Sequence, residues 1–156
     1  MPIKQTDDKP QTMHILLADD DADDRSLFRE ALEGLKNVKA ELDLVNDGIE
    51  LMDYLNNAKE ELPHILFLDL NMPRKSGMEC LHEIRGNSKF RDVSVAIYST
   101  SNSEKDIEDT LSGGANIYIH KPDNFEKLKK TILHVLRINW QFHLSGMSKE
   151  TFFLSI

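Results

Sequence analysis

The sequence predicts an α/β domain in which five strands alternate with five helices, a (βα)₅ order that forms a doubly wound parallel sheet. The first observation is a set of short apolar runs that end in polar residues, the clearest being Ile65–Leu68 before Asp69. Such a continuous run is typical of a strand buried on both faces of a parallel sheet. The second observation is that the segments between these runs carry apolar residues at helical spacing. We therefore expect helices on both faces of the sheet.

Each predicted strand is short and apolar, and the five strands cover residues 15–18, 42–45, 65–68, 93–98 and 117–119. A residue that can cap a helix follows each strand: Asp21, Asp47, Ser76, Ser103 and the pair Asp123-Asn124. The helical spacing predicts that Leu27 in the first helix and Phe125 in the last face inward with their apolar neighbours. The fold class implies the strand order 2-1-3-4-5, in which the first and third strands are neighbours.

The domain boundaries follow from composition and periodicity, since 156 residues fit one globular domain. Residues 1–12 are polar and aperiodic, which predicts a flexible lead-in. The main domain is predicted over residues 13–137, and residues 138–156 form an apolar extension in which the last helix runs to about His143. This tail either folds back on its own domain or forms a homodimer or kinase-docking surface.

Charge and composition exclude several classes of function. The net charge of −8 argues against a nucleic-acid-binding surface. The single cysteine rules out an internal disulfide and fits a reducing compartment. No apolar run approaches the length of a membrane span, and residues 1–12 lack the apolar core of a signal peptide. The sequence therefore predicts a cytoplasmic protein without a nucleic-acid or membrane partner.

Chemically active side chains follow four of the predicted strands. Asp19 and Asp20 come after the first strand and Asp69 after the third, so the strand order places these carboxylates at one switch point. Ser99 and Lys121 follow the fourth and fifth strands and flank the acids. Crowded carboxylates need a neutralising cation, and Mg²⁺ is the hard cation that such oxygen ligands favour. The set predicts phosphoryl transfer onto a carboxylate.

In their order and positions these motifs resemble the receiver domain of two-component response regulators. The resemblance covers roughly residues 13–136 and rests on Asp19-Asp20, on Asp69 with Asn71-Met72-Pro73 behind it, on Ser99, and on Lys121-Pro122. It implies a flavodoxin-like receiver fold of the single-domain, chemotaxis-like type. The runs LADDDADD (residues 17–24) and YSTS (residues 98–101) are most similar to regulators that partner phytochromes.

The resemblance also implies a role for each acid. Asp69 would be the phosphoacceptor. Asp20, Asp69 and the backbone carbonyl of Asn71 would ligate Mg²⁺, and Asp19 would act mainly through water. In this interpretation the acidic cluster is a binding site for the metal that assists phosphorylation.

Roles beyond the acids follow from the same resemblance. Ser99 would supply the hydroxyl that follows the phosphoryl group, with Thr100 as the alternative because 99–101 offers three hydroxyls in a row. Tyr118 would be the aromatic residue that swings inward with the switch. Lys121 would bind the phosphoryl group, and the bond from Lys121 to Pro122 is expected to be cis.

We therefore expect a stand-alone response regulator that accepts a phosphoryl group from a sensor histidine kinase or phosphotransfer protein and switches a surface toward an unknown downstream protein. We expect no enzymatic activity beyond self-phosphorylation and autodephosphorylation. A Mg²⁺-dependent phosphohydrolase is the competing hypothesis, but such enzymes typically place an acidic residue where this chain has Asn71. A binding module with a dead site is disfavoured because every expected acceptor, metal and lysine position is filled.

Overall fold

The computed structural model describes residues 12–58, 61–145 and 153–154, with side chains described as far as residue 138. Its strands are β1 (Met13–Ala18), β2 (Ala40–Val45), β3 (Ile65–Leu68), β4 (Ser94–Ser99), β5 (Ile117–His120) and β6 (Phe153–Leu154). Its α-helices are α1 (Ala22–Glu33), α2 (Gly48–Asn56), α3 (Gly77–Arg85), α4 (Glu104–Ser112) and α5 (Phe125–Ser145). The strands pair in parallel in the order β2-β1-β3-β4-β5-β6. The predicted order of the first five strands is confirmed.

The helices begin at the predicted caps because each capping side chain satisfies a backbone N–H that has no partner within the helix. The residues whose side chains accept from the N–H three positions later are Asp21, Asp47, Ser76, Ser103 and Asn124. At Ser76 the reciprocal bond from the Glu79 carboxylate completes a capping box. The spacing of Asp47 and Glu50 also predicts a capping box, but this box is incomplete, because the Glu50 carboxylate accepts from the Asn46 N–H instead.

The sheet is buried between two layers of helices. Helices α1 and α5 cover one face through residues such as Phe28 and Ile132, while α2 and α3 cover the other through Leu51 and Leu81. The inward prediction for Leu27 is wrong, since Leu27 is 44% exposed. With Phe28 and its helical neighbours facing the sheet, the preceding position turns out of the apolar stripe.

The same correction applies to Phe125, which is 37% exposed. Phe125 is the first residue of α5, so it lies at the rim of the sheet before the helix packs against it. The buried register of α5 begins one turn later, at Leu128, and continues through Ile132 and Val135. The first predicted inward residue of this helix is therefore the one that the fold leaves at the surface.

The last helix reaches Ser145, close to the end predicted near His143, and it continues through residue 137 without a break. After it, β6 pairs in parallel with β5, with Phe153 opposite Tyr118 and Leu154 opposite Ile119. This sixth strand was not predicted, because two residues carry no recognisable alternation. The pairing agrees with a tail that folds back on its own domain; the homodimer and the kinase-docking surface stay predictions.

The flexible lead-in predicted for residues 1–12 lies outside the described residues, apart from residue 12. Within the described ranges, no helix is both long and apolar enough to cross a membrane.

Candidate functional site

The register of the two central strands brings the predicted acids together. Ala18 at the end of β1 lies opposite Leu68 at the end of β3, so the next residues, Asp19 and Asp69, leave the sheet at the same level. The Asp69 N–H donates to the Ala18 carbonyl at 3.0 Å, which extends the ladder to the acid itself. One carboxylate oxygen from each of Asp19, Asp20 and Asp69 lies within 4.8 Å of the others. The predicted acidic cluster is confirmed.

Lys121 follows β5 and places its ammonium group among carboxylates. Its Nζ lies 3.0 Å from Asp19 Oδ2, 2.9 Å from Asp24 Oδ2 and 3.4 Å from Asp69 Oδ2. The ammonium also lies 5.2 Å from the ring centroid of Tyr98, within the range of a cation–π contact. Burial alone would lower the pKa of Lys121, but the carboxylates of Asp24, Asp19 and Asp69 outweigh it and raise that pKa.

Asp69 is a buried carboxylate whose ionisation is opposed by its surroundings. Burial is the main cause that raises its pKa to about 6; the Lys121 ammonium works against the rise and the charge of Asp19 adds to it. Its Oδ1 accepts a hydrogen bond from the Asn71 N–H at 3.2 Å, and its Oδ2 faces Lys121. The carboxylate is therefore more basic than that of an ordinary aspartate, and its hydrogen bonds fix its orientation.

The surroundings of Asp19 indicate whether the acidic cluster suits a metal ion. The residue is fully buried, and burial raises its pKa although the Asp21 N–H donates to its Oδ1 at 2.9 Å. Its Oδ2 forms an ion pair with the Lys121 ammonium at 3.0 Å. Three clustered carboxylates, two of them buried, present the hard oxygen ligands that fit a divalent cation.

The loop after β3 depends on a glycine. A Cβ atom on Gly77 would lie 2.2 Å from the Asp69 carbonyl oxygen, closer than real side chains come. The Gly77 N–H donates to the Leu70 carbonyl at 2.9 Å, which closes the loop. Asn71 lies on this loop, but the predicted use of its carbonyl as a metal ligand stays a prediction.

The predicted hydroxyl and aromatic residues belong to one chain of hydrogen bonds. Ser99 is fully buried at the end of β4, whereas Thr100 is exposed, which favours Ser99 as the hydroxyl that faces the site. The Ser101 N–H donates to Ser99 Oγ at 3.0 Å, and the hydroxyl of the buried Tyr118 donates to the Ser101 carbonyl at 2.7 Å. The Ser101 hydroxyl donates to Asp106 Oδ2 in the first turn of α4 at 2.6 Å.

The prediction of a cis bond between Lys121 and Pro122 is wrong, since no peptide bond in the described part of the chain is cis. The trans form of a bond to proline is favoured by about 0.5–1 kcal/mol unless tertiary contacts compensate for the cis form. With the trans bond, the Lys121 N–H donates to the Ser99 carbonyl at 2.8 Å and its ammonium reaches the acids. Lys121 therefore reaches the site without the cis form.

Sequence reasoning missed two residues at this site. The sequence predicts that Asp24 belongs to a solvated first turn of α1, yet it forms the shortest ion pair to Lys121. Tyr98 was interpreted only as a strand residue, yet its ring lies beneath the ammonium. Neither has a local signal, because acids are common at helix starts and aromatics are common in strands.

Comparison with known proteins agrees with this geometry. A model of the response regulator receiver domain matches residues 15–133. The response regulator Rcp1 of Synechocystis sp. is 32% identical over 122 residues, which cover 76% of this chain and 82% of Rcp1.

Two solved structures are similar across most of the chain. The phosphorylated cyanobacterial phytochrome response regulator RcpA has a TM-score of 0.74 and 32% identity, with 88% of this chain and 98% of RcpA covered. The Mn²⁺-bound form of Rcp1 has a TM-score of 0.71 and 29% identity, with 87% and 97% covered. The family model spans most of the sequence and contains the edge on which the acids, the hydroxyl and the lysine meet, and the chain therefore belongs to the response regulator receiver domain family.

Proposed function

We propose that this chain is a stand-alone response regulator that stores a phosphoryl group on Asp69 and thereby switches a protein-binding surface. The observation that carries the proposal is the surroundings of Asp69: a buried carboxylate beside Asp19 and Asp20, with the Lys121 ammonium 3.4 Å from its Oδ2. A carboxylate nucleophile, an acidic metal site and an ammonium group are the parts that phosphoryl transfer needs.

The reaction is a transfer from a phosphohistidine of a kinase or phosphotransfer protein. A carboxylate oxygen of Asp69 forms a bond to phosphorus while the bond from phosphorus to the imidazole nitrogen breaks, and that nitrogen regains a proton from water. The Lys121 ammonium neutralises charge on the transferred oxygens. The Asn71 N–H orients the carboxylate through its Oδ1 at 3.2 Å.

Mg²⁺ would be held by Asp20, Asp69 and the Asn71 carbonyl, with Asp19 acting through water, and would supply positive charge to the phosphoryl oxygens. The clustering of carboxylate oxygens from Asp19, Asp20 and Asp69 within 4.8 Å supports this assignment. So does the similarity to Rcp1, a protein with a solved Mn²⁺-bound form.

The switch is proposed to run through the hydrogen bonds of Ser101. A phosphoryl group on Asp69 offers the Ser99 hydroxyl a charged acceptor, and rotation of that hydroxyl toward it would draw Ser99 Oγ away from the Ser101 N–H, from which it now accepts. Movement of residue 101 would release the Tyr118 hydroxyl and the Asp106 carboxylate of α4, both of which it now holds. A shift from 1:99 to 99:1 between the two surfaces requires about 5.5 kcal/mol of preference.

The donor is proposed to be a sensor histidine kinase, and the similarity to RcpA favours one coupled to a phytochrome. Output is proposed to be contact with a downstream protein. The proposal includes no turnover of an external substrate beyond self-phosphorylation and autodephosphorylation, and it assigns the protein to the cytoplasm.

Intact mass after incubation with acetyl phosphate and Mg²⁺ tests the proposal. The wild-type protein should gain the mass of one phosphoryl group, and Asp69→Asn should gain none. Asp23→Asn is the matched control, because it also replaces one aspartate with asparagine, but at an exposed position in the first turn of α1. An unmodified wild-type protein, or a modified Asp69→Asn protein, would contradict the proposal.

The phosphohydrolase hypothesis is tested with p-nitrophenyl phosphate and Mg²⁺. A response regulator should release about one equivalent of nitrophenol per protein, and further release should be no faster than loss of the phosphoryl group from the phosphorylated protein. Asp69-dependent release much faster than that loss would favour the hydrolase instead.

A further inference from the structure

The Lys121 ammonium forms an ion pair with Asp24, a carboxylate that has no part in the proposed binding of the phosphoryl group. The ammonium donates hydrogen bonds to Asp24 Oδ2 at 2.9 Å and to Asp69 Oδ2 at 3.4 Å. The phosphoacceptor is thus the more distant of the two hydrogen-bonded carboxylates. Asp24 closes the run LADDDADD (residues 17–24), but it lies outside the three-acid cluster, and neither the resemblance nor the proposed chemistry gives it a role.

The position of Asp24 is fixed by the start of α1. Its own N–H donates to the capping side chain of Asp21 at 3.0 Å. The guanidinium of the next residue, Arg25, donates to the Asp19 carbonyl at 2.8 Å, which ties the helix to the edge of the sheet. The negative charge of Asp24 is also favoured near a helix N-terminus. The backbone of Asp24 is therefore fixed at the start of α1, with its carboxylate 2.9 Å from the Lys121 ammonium.

Lys121 is held on its other side as well. The Tyr98 ring lies beneath the ammonium at 5.2 Å from its centroid, and this ring packs edge-on against Phe28 and Phe67. An ammonium group has three donors and no acceptor, so each carboxylate that it serves reduces what it can offer to another anion. New phosphoryl oxygens on Asp69 would have to compete for these donors.

We propose that Asp24 is a positioning residue that competes with the phosphoryl group for Lys121. In the unphosphorylated protein the Lys121 ammonium lies close to Asp69 but forms its shorter hydrogen bond to Asp24. Phosphorylation then draws the ammonium from Asp24 to the phosphoryl oxygens. Asp24 thereby lowers the affinity of the site for a phosphoryl group and sets how readily the switch closes. This inference rests on the proposed roles of Asp69 and Lys121.

Beryllofluoride, which mimics a phosphoryl group on a carboxylate, measures this competition. Calorimetric titration at saturating Mg²⁺ should show that Asp24→Asn binds beryllofluoride about three- to tenfold more tightly than the wild type, the size expected for one partly exposed charge. Asparagine keeps the shape of the side chain and an acceptor oxygen, so the change isolates the charge. Asp23→Asn is the matched control and should change the affinity by less than about twofold. If Asp24→Asn binds no more tightly than Asp23→Asn, or binds more weakly, the competition is overturned.

A urea-unfolding cycle without metal tests the pairing itself. Asp24→Asn should lower the urea midpoint more in the wild-type background than in Lys121→Met, because the ion pair exists only in the first. Equal effects in both backgrounds would overturn the inference even where beryllofluoride binds normally. A wild-type protein that does not bind beryllofluoride would refute both the proposed function and the competition. In that case, a larger effect of Asp24→Asn in the wild-type background than in Lys121→Met would still support the ion pair between Asp24 and Lys121.

Discussion

The protonation state of Asp69, on which its proposed reactivity depends, is set by the residues around it. Burial and the charge of Asp19 favour its protonated form, whereas the Lys121 ammonium favours the carboxylate. Asp20 is the exposed member of the acidic cluster, and its oxygens face those of two buried acids. Because like charges at this separation repel, the metal-free protein carries electrostatic strain that a cation would relieve.

Asp20→Asn should stabilise the metal-free protein and weaken its binding of Mg²⁺. Removal of one exposed charge from the cluster should raise the free energy of unfolding by about 0.5 kcal/mol at low ionic strength, as measured by urea unfolding in EDTA. Loss of a ligand should lower Mg²⁺ affinity about tenfold or more. Asp23→Asn serves as the control for the loss of one acidic charge. A metal-free protein destabilised by Asp20→Asn would show that repulsion is not the dominant effect.

At the scale of elements, the loop between β3 and α3 connects Asp69, the proposed phosphoacceptor, to the helix layer. The Ser76 capping box begins α3 directly after this loop. Arg85 at the other end of the helix donates to the carbonyls of Gly114 and Val93, at 2.8 and 2.9 Å, and so ties α3 to the far end of the sheet. The helix is fixed at both ends, which leaves the loop little freedom to absorb a change in shape.

Gly77→Ala should therefore disturb the site as well as the fold. The added Cβ would lie 2.2 Å from the Asp69 carbonyl oxygen, so the backbone must move. We expect a loss of about 2 kcal/mol in the free energy of unfolding, typical of overpacking, together with slower phosphorylation by acetyl phosphate. Gly86→Ala is the matched control, since its nearest neighbour would be the His82 carbonyl at 3.2 Å. Similar stabilities for the two variants would mean that the loop tolerates the Cβ.

For the whole molecule, the edge of the sheet at β5 is the feature that bears on how the protein assembles. An exposed edge strand offers unpaired N–H and C=O groups to other chains. Here the backbone of Phe153–Leu154 pairs with β5 and covers part of that edge. The sequence predicts that this tail either folds back on its own domain or forms a homodimer or kinase-docking surface, and folding back and dimerisation predict different assemblies.

Replacing both Phe153 and Leu154 with proline separates these alternatives, because proline has no N–H to donate to a ladder. If the tail folds back, amide hydrogen exchange in peptides that cover β5 should become about tenfold faster, equivalent to about 1.4 kcal/mol of local stability. The matched control replaces both residues with alanine, which keeps the N–H groups. A wild-type dimer that dissociates in the proline variant during sedimentation would instead assign the tail to contact between copies.

The sequence by itself determined the features whose causes are local. Apolar runs mark the strands because both faces of a parallel sheet are buried, and a short polar side chain marks each helix start because it satisfies an orphan N–H. Acids, a hydroxyl and a lysine placed after strands then predict their meeting at one edge. Only the tertiary structure decided that Asp24 pairs with Lys121, 97 residues away, that Leu27 faces solvent, and that β6 extends the sheet. An acid in a first helical turn has the same local pattern whether water or a distant ammonium neutralises it, so only the packed fold can assign its partner.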